Sequence, residues 1–279
     1  MIKLAAIDLD GTLLGPDRKI SAANAKAIRR LQSAGVRVVL ASGRHYHNMR
    51  RYAEELEEVQ WVASCQGGEL CDTRREEILC REFLPLAMGR EIVAKGRSLG
   101  LSPIVYTVDD ILTDCEWNAN VQFYAELSGR APRVTRSDNL AAGPMFKVIW
   151  IGEPHQIETA VKLDNAADAA VQRVRTHARL LESMPTAVSK ASALKIVAKR
   201  LGVTSGEAIA FGDGDNDVPL FEWCGVSVAM SHGWPAAIAA ASHITPEGDA
   251  ETALARGVDM MFDAGVIVAD GQRLCASNS

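Results

Sequence analysis

Asp8-Leu9-Asp10-Gly11-Thr12-Leu13-Leu14 follows an apolar run, Ile2, Leu4, Ala5, Ala6 and Ile7, that only Lys3 interrupts. A run of this length, ended by a glycine turn, reads as a strand buried in a parallel sheet. Two carboxylates at its end then lie outside the carboxyl edge, where open α/β sheets place ligands. Alternation about Leu9 sends both to the same side while the chain is extended. Anions so close repel, and they call for a cation, a shared proton or a substrate that justifies the cost.

Working outward, Ser21 to Ala34 has helical spacing. Ser21 caps its start, Ala27, Ile28, Leu31 and Ala34 share a face, and Gly35 ends it. Val36 to Ala41 is the next strand and runs into Ser42-Gly43-Arg44. A polar helix over His45 to Glu57 and a strand over Gln60 to Cys65 follow, with Gln66-Gly67-Gly68 as a turn. This βαβαβ order predicts a parallel sheet with right-handed crossovers.

From about Phe83 the rhythm changes. A helix near Met88 to Leu99 precedes a strand or hairpin over Ile104 to Leu112, turning at Asp109-Asp110. Next come a helix over Cys115 to Ser128, a strand over Met145 to Ile151, a helix from Pro154 and an extended Val171 to Leu181. This middle third reads as an inserted second domain. The first rhythm returns with an amphipathic helix over Ser189 to Leu201, ended by Gly202. A strand over Glu207 to Phe211 leads into Gly212-Asp213-Gly214-Asp215-Asn216-Asp217. A strand over Val226 to Met230, a helix from Pro235, an edge strand over His243 to Thr245 and a helix from Glu251 complete the core.

Composition narrows the functional classes. The 279 residues suit about two domains, and 48% hydrophobic with 23% charged residues is ordinary for a globular chain. A net charge of −5 with no dense basic stripe argues against a nucleic-acid partner. Arg173, Arg175 and Arg179 come closest and read as a solvated face or a strand edge. No stretch reaches the length of a membrane span, and the start of the chain has no apolar signal region. The six cysteines, Cys65, Cys71, Cys80, Cys115, Cys224 and Cys275, form no CxxC pair. They read as reduced, mostly buried thiols, which suits the cytoplasm.

Four polar clusters fall at strand ends or helix starts: Asp8/Asp10, Ser42-Gly43, Lys190 and Asp213/Asn216/Asp217. Together they describe a phosphate-handling site. Asp8 is the candidate nucleophile, since a carboxylate can attack phosphorus and split hydrolysis into two easier steps. Asp10 is the candidate general acid and then base. Asp213 and Asp8, with the Asp10 backbone carbonyl, form the candidate ligand set for a hard divalent cation, best Mg²⁺. Asp217, with Asp215 as an alternative, would orient the ion or its waters from behind. Ser42 and the Gly43 amide, between a strand and a helix start, suit a phosphate oxygen. Lys190 opens a helix and opposes its dipole at a cost of roughly 0.3–1 kcal/mol, which makes sense where an anion docks. The first loop fails the EF-hand pattern, because Thr12, Leu13 and Lys19 occupy its later positions. Taken alone, Ser42 would be a helix cap, Lys190 a solvated lysine and the Asp213 loop a capped turn. His45 and His47 face substrate or lie on a helix surface, His232 and Trp234 are candidates for the site rim, and Met260-Met261-Phe262 reads as core.

With these clusters in place, the chain resembles the haloacid dehalogenase superfamily, and within it the Cof-type phosphatases with a type IIB cap. Asp8 to Leu14, Ala41-Ser42-Gly43-Arg44, Lys190, Gly212 to Asp217 and Gly225 to Met230 carry the resemblance. It implies a doubly wound, Rossmann-like parallel-sheet core over residues 1–82 and 184–279. It also implies an inserted, substrate-selecting α+β cap over residues 83–183. Phosphate contacts are implied for the Leu9 amide, Ser42, Gly43, Lys190 and Asn216, with Thr12 joining Asp217 behind the metal ligands. Three departures stand out: Gln66-Gly67-Gly68 where Asn-Gly-Ala is common, Ala191 where glycine usually follows the lysine, and Ser231-His232-Gly233 where Gly-Asn-Ala is frequent.

The expectation is an Mg²⁺-dependent phosphatase acting on small phosphorylated metabolites, sugar phosphates foremost, as a monomer or small homo-oligomer without membrane or nucleic-acid partners. A phosphomutase similar to phosphomannomutase is the alternative, and a requirement for a bisphosphate activator would mark it. A non-catalytic metabolite-binding regulator is the third reading, and the intact Asp8/Asp10/Lys190/Asp213 set weighs against it.

Overall fold

A computed structural model describes residues 1–57, 59–163 and 169–268. Cys275 therefore lies outside the described residues. The chain divides into two compact units. One holds Met1–Gly43, Met49–Leu79 and the residues from Ser189 on, and the other holds Arg44–Asn48 and Cys80–Val188.

Element order follows hydrophobic patterning closely. β1 (Leu4–Ile7), α1 (Ala22–Ser33), β2 (Arg37–Ala41), α2 (Tyr46–Glu55) and β3 (Trp61–Ser64) come first. The Ser21 hydroxyl accepts from the Asn24 amide and starts α1. Next are β4 (Glu69–Asp72) and β5 (Glu77–Arg81), then α3 (Leu86–Ser98), β6 (Ser102–Thr107), β7 (Ile111–Thr113), α4 (Ala119–Ser128), β8 (Arg133–Val134) and α5 (Ser137–Leu140). β9 (Met145–Ile151), α6 (Pro154–Leu163), β10 (Val171–His177) and β11 (Leu180–Pro185) close the middle of the chain. The remainder is α7 (Lys190–Leu201), β12 (Ala208–Gly212), α8 (Val218–Trp223), β13 (Val226–Ala229), α9 (Pro235–Ala240), β14 (His243–Ile244) and α10 (Ala253–Asp263).

In the first unit β1 runs parallel between β12 and β2, with Ile7 beside Phe211 and Leu40. All four β1 residues are buried, so the strand needs the continuous apolar run seen in its sequence. The described sheet order is β14-β13-β12-β1-β2-β3-β4-β5. Parallel pairing holds from β14 to β3, and β4 returns antiparallel to β3.

The sequence reading did not anticipate β4 and β5. Glu69 and Asp72 within β4 are polar yet buried. Asp72 is accommodated because it accepts from the Gln60 amide and from the Arg74 and Arg75 backbone. The expected helix over Cys115 to Ser128 also begins later, at Ala119. There Asn118 caps it by accepting from the Asn120 and Val121 amides.

The second unit is built on the sheet order β10-β11-β9-β6-β7-β8, antiparallel except for the β7–β8 pair. β10 is an edge strand, which accounts for Arg173 and Arg175 as edge residues. One sheet face packs Val105, Val148, Trp150 and Leu181 against Ile92 and Val93 of α3 and Ile157 of α6. Tyr106, Lys147 and Glu182 form a buried polar group of their own. The Lys147 ammonium sits 2.8 Å from Glu182 and 4.4 Å from the Tyr106 ring centre.

A buried ion pair is costly to break on one side only. Lys147→Met is expected to destabilise the protein by about 3–5 kcal/mol in urea unfolding. Adding Glu182→Leu should restore most of that loss, because no buried charge is then left uncompensated.

Candidate active site

Asp8 begins where β1 ends. Its amide donates to the Phe211 carbonyl, so the two central strands hold its backbone. Leu13 and Leu14 donate back to Asp8 and Leu9, closing the turn that the glycine allows. Gly11 takes φ +83°, and a Cβ there would run into the Asp213 carboxylate. That close approach joins the first loop to the loop after β12. The Thr12 hydroxyl adds a hydrogen bond of 3.1 Å to Asp213.

Lys190 is the first residue of α7. Ser189 and Ser192 cap this helix reciprocally, which fixes the point from which the lysine departs. Its side chain is fully buried and its ammonium lies 2.5 Å from Asp8 and 2.6 Å from Asp217. The second Asp217 oxygen accepts from the Asp213 and Gly214 amides at 3.0 Å each. Asp217 therefore ties the lysine to the Asp213 loop.

The electrostatics follow from burial. Desolvation pushes the Asp8 carboxyl well above the usual range; Lys190 pulls it back, while Asp217, Asp213 and Asp10 push it further up. Asp213 is raised to about 6, by burial first and then by Asp217. Burial alone would depress Lys190, but Asp217 and Asp8 outweigh it and hold the ammonium well above its ordinary value.

Asp8, Asp213 and Asp217 each place an oxygen within 4.8 Å of the others. Three carboxylates against one ammonium leave an excess of negative charge, and an all-oxygen donor set suits a hard divalent cation. This grouping differs from the sequence expectation in one member. It includes the Asp217 side chain, expected behind the ligands, whereas Asp10 is exposed and was expected to contribute its carbonyl. Both Asp217 oxygens already accept hydrogen bonds, so Asp8 and Asp213 are the better placed side-chain ligands.

Ser42 and Gly43 follow β2, and the Ser42 carbonyl accepts from the Gln66 amide. Gln66, a turn residue in the sequence pattern, also contributes its side chain here. Its side-chain oxygen accepts from Asn216 at 3.0 Å, and its amide nitrogen fills the space beside Gly43. Cys65 and Gln66 both hold positive φ, of 53° and 64°. Two such non-glycine residues in succession concentrate strain of about 1–3 kcal/mol each, a pattern common at functional sites. Its sequence signal was a glutamine at a strand end before Gly67-Gly68. Gly67 in turn packs on the Ser189 carbonyl, so the loop after β3 lies against the start of α7.

The weaker candidates separate. His232 hydrogen-bonds the Gly11 carbonyl at 2.8 Å, and the Trp234 amide donates to the Asp213 carbonyl, so this segment abuts both acidic loops. His45 and His47 instead hydrogen-bond the carbonyls of Thr107 and Asp109 within the second unit. Burial lowers His45 to about 4, and its ring is neutral, donating from Nε2 and accepting the His47 amide at Nδ1. Met261 is fully buried, whereas Phe262 is half-buried under the Arg30 guanidinium.

Known proteins identify the family. The family model for haloacid dehalogenase-like hydrolases matches residues 5–257. An HMP-PP phosphatase of Cronobacter sakazakii is 26% identical over 245 residues, 88% of this chain and 89% of its own. The crystal structure of a haloacid dehalogenase-like hydrolase from Bacteroides thetaiotaomicron is 28% identical, with a TM-score of 0.82 over 94% of this chain and 100% of that one. BT4131, a subclass IIB sugar phosphatase, shares the fold at 16% identity, with a TM-score of 0.81 over 95% of this chain and 100% of its own. The chain belongs to the haloacid dehalogenase-like hydrolases and is a hydrolase of the phosphatase kind.

Proposed function

We propose that this enzyme hydrolyses phosphate monoesters of small metabolites, sugar phosphates foremost, through a phosphoaspartate on Asp8. The observation that carries the reading is the buried Lys190 ammonium between Asp8 and Asp217, with Asp213 alongside. An HMP-PP phosphatase relative and a sugar phosphatase of the same fold support a small phosphorylated substrate.

Asp8 and Asp213 would hold Mg²⁺, with the Asp10 carbonyl as a further ligand and with Asp217 and Thr12 behind. Bound there, the ion would offset the carboxylate charge and that of the incoming phosphate. The protein's own groups perform the transfer. An Asp8 oxygen bonds to phosphorus as the ester P–O bond breaks, and the departing oxygen takes the Asp10 proton. Water then gives a proton to Asp10 and attacks the same phosphorus. The Asp8–P bond breaks, inorganic phosphate leaves and the Asp8 carboxylate is restored. The Leu9 and Gly43 amides, Ser42, Lys190 and Asn216 receive the phosphoryl oxygens, whose charge must be stabilised throughout. Residues 83–183 select the substrate, and cysteines without CxxC spacing keep the cytoplasm as the proposed setting.

The reading is tested by phosphate release over a panel of phosphorylated metabolites. Activity should vanish with a chelator and return with Mg²⁺. Asp8→Asn should abolish turnover with unchanged circular dichroism, and wild-type turnover in that variant would refute the nucleophile. Asp10→Asn should slow turnover by about 10²–10⁴-fold and let labelled phosphoenzyme accumulate. Lys190→Met strands two buried carboxylates, so it should cost about 3–5 kcal/mol in urea unfolding as well as activity.

A further inference from the structure

The segment that follows β13 is tied down through its backbone. The Met230 amide donates to the Gly212 carbonyl, Gly233 to Met230, and Trp234 to the Asp213 carbonyl at 2.7 Å. The Ser231 amide donates to the Thr245 hydroxyl at 2.9 Å. A Cβ on Gly233 would lie 2.9 Å from the Asp213 carbonyl oxygen, so the turn is seated on the Asp213 backbone. His232 lies within this turn and is exposed, a side chain presented from a fixed platform.

Its ring reaches the other acidic loop. Nε2 lies 2.8 Å from the Gly11 carbonyl, which can only accept, so Nε2 carries a proton. The imidazolium and the neutral Nε2–H tautomer both donate there, so the contact survives titration of the ring. Among the described residues the Gly11 carbonyl has no other partner. The same peptide plane is held at its other end, where the Thr12 amide donates to Leu9 at 3.3 Å. A planar peptide tied through both its C=O and its N–H cannot flip without breaking one of those bonds. Gly11 is where a flip would otherwise start, because it has a glycine's freedom, holds φ +83° and directly follows Asp10.

We propose that His232 is a positioning residue for Asp10, a role that rests on the acid–base function proposed for Asp10 above. Asp10 is exposed, so burial does not fix it, and the place of its carboxyl depends on the backbone that carries it. A general acid works only within hydrogen-bond reach of the departing oxygen. Without His232 the plane between Gly11 and Thr12 keeps one tie of two, and Asp10 spends part of its time displaced. His232 acts through the Gly11 carbonyl and needs no contact with substrate. The hydrogen bond lies at an exposed residue, so its loss leaves the fold in place while it loosens the acid.

The test compares phenyl phosphate with 2,4-dinitrophenyl phosphate. Phenolate needs a proton as it departs, whereas dinitrophenolate leaves without one. kcat/KM covers the steps up to the phosphoenzyme, which separates the acid step from the later attack of water. In His232→Ala it should fall about tenfold on phenyl phosphate, the size of one lost hydrogen bond, and about twofold or less on the dinitrophenyl ester. His232→Gln, whose amide nitrogen can replace Nε2–H, should recover most of that loss. Both variants should keep the wild-type circular dichroism and urea midpoint. Equal losses on the two esters would mean a merely structural role and overturn the proposal. Full activity of His232→Ala on phenyl phosphate, or no recovery in His232→Gln, would do the same. Asp10→Asn in the same assay should show a larger contrast between the esters. A contrast in Asp10→Asn with none in His232→Ala refutes the role of His232 alone, while no contrast in either variant removes the acid role of Asp10 and the role of His232 with it.

Discussion

A single buried ammonium organises the acidic cluster at the carboxyl ends of the central strands. Lys190 sits where a lysine ought to lose its proton, and it keeps the proton because Asp8 and Asp217 lie within hydrogen-bond distance. The dependence is mutual, since the same carboxylates would be expensive to bury without it. The start of α7 adds to the balance. A helix N-terminus disfavours a cation and favours anions, so the two carboxylates benefit from the dipole that Lys190 opposes. Asp217 extends this arrangement into the backbone by holding the Asp213 and Gly214 amides.

Parallel pairing makes the arrangement possible. β2, β1, β12 and β13 run the same way, so their loops emerge on one sheet edge even though they are distant in the chain. Close packing then fixes the loops against each other. Gly11 leaves room for Asp213, Gly67 seats the β3 loop on Ser189, and Gln66 links Gly43 to Asn216. Elsewhere in the same unit, the Trp61 indole N–H and the Gln32 amide nitrogen are buried without a hydrogen-bond partner among the described residues.

Most of the core was legible because its signals are local. Apolar runs ended by Asp8, Ser42 or Asp213 mark strand ends without any knowledge of pairing, and Ser189 before Lys190 marks a helix start. The missed features depend on partners. β4 carries Asp72 in a buried position, and no sequence pattern shows that Gln60 and two backbone amides await it. Asp217 was expected behind the ligands, yet its place in the carboxylate group follows from Lys190, 27 residues earlier in the chain. His45 looked like a helix-surface residue and is buried through the Thr107 carbonyl. An unmatched indole N–H leaves no trace in sequence at all.

The central place of β1 also bears on how the chain is made. Its neighbour β12 is Ala208–Gly212, so β1 leaves the ribosome about two hundred residues before that flank can be covered. At about 5–20 residues per second, this interval is on the order of 10–40 s. For that time a short, wholly apolar strand has one unpaired edge, the kind of surface that invites aggregation. The nascent chain therefore passes its most vulnerable period with Asp8 in place and the Lys190 ammonium that offsets its charge not yet synthesised. Chaperone demand in the cell should track the translation of residues between β2 and β12 rather than the final stability of the fold.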